Sequence, residues 1–128
     1  MKRLAISAGL LILLLGLSAV HVWCLHSLTE ELTAALTQAQ DEAEAGRWEV
    51  AAAITERAKA RWMENEGYLH ATLHHRDIDA VLSYFSETLA YLQGQERQPA
   101  EYAAANARLI TQLELLIEGE LPTWKNLL

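Results

Sequence analysis

The spacing of apolar residues changes character near position 25. From Leu4 to Leu25 the chain reads LAISAGLLILLLGLSAVHVWCL, uninterrupted by any formal charge apart from the titratable His21. As a helix, those 22 residues rise roughly 33 Å, about the thickness of a bilayer hydrocarbon core. Beyond them the apolar positions become periodic. Leu28, Leu32, Leu36, Ala39 and Ala43 recur at steps of three and four, and no glycine or proline separates them from the apolar run. The pattern predicts one helix that leaves the run and continues to Ala45.

Three further helical segments follow, punctuated by Gly46, Gly67, Gly94 and Gly119. The first carries Trp48, Ala51, Thr55, Ala58 and Trp62. Ile78, Val81, Leu82, Phe85, Leu89 and Leu92 form the cleanest amphipathic stripe of the chain. The last opens at Pro99, a residue suited to a first helical turn, and carries Tyr102, Leu109, Leu113, Leu116 and Ile117; Pro122 is expected to stop it. Leucine and alanine supply 44 residues and valine and isoleucine only ten, a bias toward helix over strand. Short glycine turns between such helices favour antiparallel neighbours. The expected fold is all-α: one N-terminal transmembrane helix, then a small antiparallel bundle of about four helices built from repeat-like hairpins.

Charge divides the chain at the same place. Lys2 and Arg3 give the first 25 residues +2, whereas His26 to Leu128 hold eight Lys and Arg against all 17 acids, a formal −9. So acidic a domain is a poor match for nucleic acid, whose phosphates call for a basic surface. A signal peptide has a shorter apolar region and an A-x-A-like cleavage site, and the best small-residue candidate, Gly16-Leu17-Ser18, lies inside the run. An uncleaved signal anchor over residues 1–25 is therefore favoured, with residues 26–128 as an extracytoplasmic helical domain. Basic residues before the span and Glu30 and Glu31 after it place the N-terminus in the cytoplasm and the domain outside the cell membrane. Trp23 and His21 fall near the outer interface. Trp23 before Cys24 speaks against lipidation, and a lone cysteine excludes an internal disulfide or a four-cysteine zinc site.

Candidate chemistry is sparse. Ala45-Gly46-Arg47-Trp48-Glu49-Val50-Ala51, continuing to Ala58, looks like the turn and second helix of a tetratricopeptide repeat. One such turn makes a hairpin; a peptide-binding solenoid needs about three repeats. His70, His74 and His75 lie beside Asp77 and Asp79. His70 and His74, one helical turn apart, are the candidate metal pair, although no H-e-x-x-H pattern accompanies them and His75 shares the stripe of Ile78 and Leu82. No nucleophile elbow, P-loop or dinucleotide turn occurs, so no catalytic residue and no cofactor are expected.

The layout resembles a known family, the domain of unknown function 4363 family, found in spore-forming and related Gram-positive bacteria. The residues carrying the resemblance are Met1-Lys2-Arg3 with the single span, the Gly46-Arg47-Trp48-Glu49 turn, Trp62, the His75-x-Asp77-Ile78-Asp79 step and the terminal Pro122-Thr123-Trp124-Lys125-Asn126-Leu127-Leu128. The resemblance implies a single-span, helical, extracytoplasmic protein and supplies no activity, substrate or catalytic residue. Spacing favours His75 over His74 at the family's histidine position. There, His75 and Asp79 would meet at i,i+4 and clamp the helices together.

The functional expectation is a non-enzymatic, membrane-anchored interaction or scaffold module. It would contact another membrane or envelope protein through Trp48, Trp62 and Trp124, with His75 and Asp79 as orienting groups. The rival expectations are a metal- or small-ligand-binding sensor using His70 and His74, and a tetratricopeptide-like peptide-binding module.

Overall fold

The computed structural model describes the backbone of residues 1–127 and their side chains except Thr72 and 120–127. Five helices account for it: α1 (Lys2–Glu44), α2 (Trp48–Glu64), α3 (Glu66–Thr72), α4 (His75–Gln93) and α5 (Pro99–Leu127). No strand occurs among the described residues.

The run-on helix expected from the sequence is α1, 43 residues without a break. Its two halves live in different surroundings. Leu4, Leu10, Ile12, Leu13, Leu14 and Leu17 are each more than half exposed, and the most apolar window of α1 has none of its residues buried. From Leu25 onward the helix buries Leu28, Thr29, Leu32, Leu36, Ala39 and Ala43, one stripe at helical spacing. Leu25 itself, assigned by the sequence to the apolar leader, is 1% exposed and belongs to the core. α1 is the one helix among the described residues long and apolar enough to cross a membrane.

Gly46 ends the α1 stalk. Its φ of +86° lies in the left-handed region that a side chain penalises. Its N–H donates to Ala43 O at 3.0 Å and the N–H of Arg47 to Glu42 O at 2.8 Å, the paired bonds of a Schellman motif. The Arg47 side chain also pairs with Glu42, whose carboxyl it holds below the ordinary carboxylate range by hydrogen bonding and charge. The chain therefore reverses sharply into α2.

α1 packs against α2 and α5, and α4 packs against α2 and α5, so four antiparallel helices close into a ring. Among the described residues, the diagonal pairs α1–α4 and α2–α5 keep their backbones apart. Closure of α5 onto α1 makes the α1–α2 hairpin one wall of a bundle rather than the first step of an open solenoid. The short α3 bridges α2 and α4 at the end where α1 leaves the ring.

Two local features depart from the sequence expectation. A separate helix, α3, occupies the segment between Trp62 and the α4 stripe. It ends where Leu73 (φ −117°, ψ 160°) and His74 (φ −70°, ψ 139°) turn extended. α5 also runs past Pro122, which the sequence reading takes as its stop. Proline removes one hydrogen bond and crowds the preceding turn, but its fixed φ remains compatible with helix.

Candidate interaction surface

The surface where α1 leaves the bundle is built by three elements. α1 supplies Trp23 and Cys24, α2 supplies Arg61, and α3 supplies Tyr68; between them lies a groove of about 360 Å³. Trp23 is 69% exposed and Tyr68 41% exposed, so the groove has two aromatic lips. Its polar wall is the Arg61 guanidinium, whose Nε lies 3.3 Å from Glu31 Oε2 and whose Nη1 lies 3.4 Å from Glu64 Oε2. The hydrogen bond and charge of Glu31 push the Arg61 pKa up, with Glu64 adding to the effect. Tyr68 is held in place by a hydrogen bond between its hydroxyl and His21 Nδ1, the two rings 5.5 Å apart. That contact fixes α3 at the level of the last turns of the apolar segment.

A second feature lies beside the groove. His70 Nδ1 and His75 Nδ1 are 2.9 Å apart, with ring centroids at 4.8 Å, and His70 Nε2 lies 3.2 Å from Glu66 Oε1. A hydrogen bond between two Nδ1 atoms needs one donor and one acceptor, so at least one ring is neutral. This arrangement corrects the expected pairing of His70 with His74. The extended Leu73–His74 step separates α3 from α4, so those two histidines do not share a helix face. Among the described residues, no group of three or more His, Cys, Asp or Glu side chains converges as a metal site.

The expected His75–Asp79 clamp is not formed either. Asp79 is exposed and makes no ion pair with His75. His75 opens α4, and helical side chains lean toward the N-terminus, here toward α3 rather than along α4 to its fourth neighbour.

The tryptophans divide. Trp62 is wholly buried in the main core, its indole N–H without a partner, and offers no surface to a binding protein. Trp48 is half-buried. It meets Tyr102 edge-on at 5.7 Å and carries the Arg97 guanidinium 5.2 Å above its ring, a cation–π contact. Both its flanks are therefore occupied by its own chain. The Trp124 side chain lies outside the described residues.

The sequence marked Trp23 only as an interfacial ring and did not single out Tyr68. Its contact partner His21 is 47 positions away, a separation no local pattern reports.

No curated protein and no solved structure matches the chain significantly. A family profile does, over residues 20–127, beginning where α1 passes from its exposed apolar half into the bundle. With the match spanning nearly the whole chain, the protein belongs to the family described as domain of unknown function DUF4363.

Proposed function

We propose that this chain is a membrane-anchored helical interaction module, held outside the cytoplasmic membrane by the apolar half of α1, and that it acts by binding another membrane or envelope protein. One observation carries the reading: a single unbroken helix joins a wholly unburied apolar segment to the core of a closed bundle. An apolar surface of that size is stable in lipid and not in water. Lys2 and Arg3 before it and the acidic bundle after it favour a cytoplasmic N-terminus. The groove between Trp23 and Tyr68 opens at the level where the span ends, so a partner helix running beside α1 would reach it on leaving the bilayer.

Photo-crosslinking in native membranes tests this. A crosslinking residue at Trp23 or Tyr68 is expected to capture a membrane protein, and one at Val50, exposed on α2 far from the groove, is not. Release of the intact chain by alkaline carbonate, or a mature chain lacking residues 1–20, would overturn the anchored reading. Protease added to whole cells should digest the bundle; protection would reverse the orientation.

A further inference from the structure

All five histidines of the chain, His21, His26, His70, His74 and His75, sit at one end of the bundle, the end from which the apolar helix emerges. We propose that the corner between α3 and α4 is an acid-switched docking surface for anionic phospholipid headgroups. This rests on the anchored reading above, which brings the corner to the headgroup layer.

Position comes first. The His21–Tyr68 contact pins α3 to the last turns of the apolar segment, and the seven-residue α3 carries His70 within its own last turn. The His70–His75 contact then ties the first residue of α4 to the same level. His74, His75, Arg76 and Asp77 line a shallow hollow of about 480 Å³ there, and all but Asp77 are exposed. Its volume admits a phosphate.

Charge supplies the switch. The groups facing the corner are Glu66 and His70 from α3, His74 from the connecting step and His75, Arg76 and Asp77 from α4. On α1 the neighbouring titratable pairs are His21 with Tyr68 and His26 with Glu30, the latter at 3.1 Å. With neutral histidines Glu66 and Asp77 outweigh Arg76, and an anionic surface is repelled. Histidine is the side chain that ordinarily changes charge between about pH 5 and 8. When both His70 and His75 are protonated, both Nδ1 atoms become donors, and the 2.9 Å contact between them turns from a hydrogen bond into a repulsion. A phosphate oxygen placed between the rings accepts from both and removes that repulsion. The acidic bundle would otherwise hold this end away from an anionic bilayer; acid reverses the sign locally.

The test uses the full chain in nanodiscs of phosphatidylcholine with or without phosphatidylglycerol, read by amide hydrogen exchange over residues 66–77 and compared between lipids at the same pH. Each cationic charge at an anionic surface contributes about fivefold, so two imidazolium charges should slow exchange roughly 25-fold in the anionic discs near pH 5.5. Near pH 7.5 the two lipids should give the same rates. The double variant His70→Gln/His75→Gln should lose the effect, and His70→Arg/His75→Arg should keep it at both pH values. Unchanged exchange over residues 51–58 of α2 reports an intact bundle in each variant.

Equal rates in both lipids at acid pH would overturn the proposal. So would equal slowing at both pH values in the unaltered chain, slowing reproduced by inorganic phosphate in phosphatidylcholine discs, or slowing that appears only when native membrane protein is added. A chain that fails to stay in the discs sinks the anchored reading and this one with it. An inserted chain with unresponsive exchange sinks only this one.

Discussion

The two halves of the bundle are packed from different materials. Near the apolar helix the core is made of large side chains: Leu25, Leu28, Leu32 and Leu36 of α1 meet Trp62, Leu69, Ile78, Phe85, Leu109 and Leu113. Toward the Gly46 turn it is made of Ala39, Ala43, Ala51, Ile54, Leu92 and Tyr102. Alanines let helix backbones approach, while leucines and aromatics hold them apart and fill the wider space. Between the halves sits Asn106, wholly buried, whose Nδ2 donates to Leu36 O and to Gln40 Oε1, both at 3.1 Å. The near half is bound by volume, and the far half by close approach. They should therefore fail in opposite ways: the near half when atoms are removed, the far half when atoms are added.

The largest effect is expected from removing atoms in the near half. Trp62→Ala leaves an indole-sized cavity among leucines and should cost about 3–5 kcal/mol in urea denaturation. A loss under about 1 kcal/mol would mean the core collapses onto the site and would break the contrast.

The far half has its own weakness in alkali. Burial, with Glu44 adding to it, pushes the Tyr102 hydroxyl up to about 12, and that hydroxyl has no hydrogen-bond partner. The folded protein then holds the proton more tightly than the unfolded chain, whose tyrosine ionises near 10. This contribution is complete below about pH 10 and disappears as pH rises through about 12, a loss on the order of 2–3 kcal/mol. Tyr102→Phe should remove most of that alkaline slope while costing little near neutral pH, as measured by unfolding midpoint against pH.

Adding atoms should hurt the far half more than the near one. Ala51→Leu, at a fully buried site of the alanine-lined half, is expected to cost about 1–3 kcal/mol by overpacking. Val81→Ile, which adds a methylene at a fully buried site of the near half, should cost less than that. Equal costs would show that the two halves are packed alike. A comparably small effect is expected of Gly46→Ala, which has free space for its methyl group but must hold φ near +86°, a penalty of about 1–2 kcal/mol visible in the thermal midpoint.

Much of this was legible one helix at a time. The unbroken α1, the Gly46 turn and the α4 stripe follow from composition and period, because each is decided by residues within a turn or two of one another. The exceptions fall where distant segments or unmarked backbone decide. No glycine or proline announces the Leu73–His74 break, so four-residue spacing placed His70 and His74 on one helix that does not exist. Trp62 looked available for a partner because its period says which face it occupies and nothing about how deep that face lies. Tyr68 became visible only when α3 was brought against His21, and closure of the ring depends on α5 returning to α1 across more than half the chain. The candidate surface was therefore less readable than the fold.

The absence of a joint in α1 carries a mechanical consequence. At 1.5 Å per residue the helix is about 65 Å long, and roughly 29 Å of it stands beyond the apolar run that ends at Leu25. Such a mast transmits the inclination of its foot to its head. A bilayer that thins by a few ångströms tilts a spanning helix to match, and a tilt change of about 10° would swing the Gly46 turn sideways by about 5 Å. A bundle hung on a flexible linker would ignore that change; on the proposed anchoring, this one would be geared to the thickness of its bilayer.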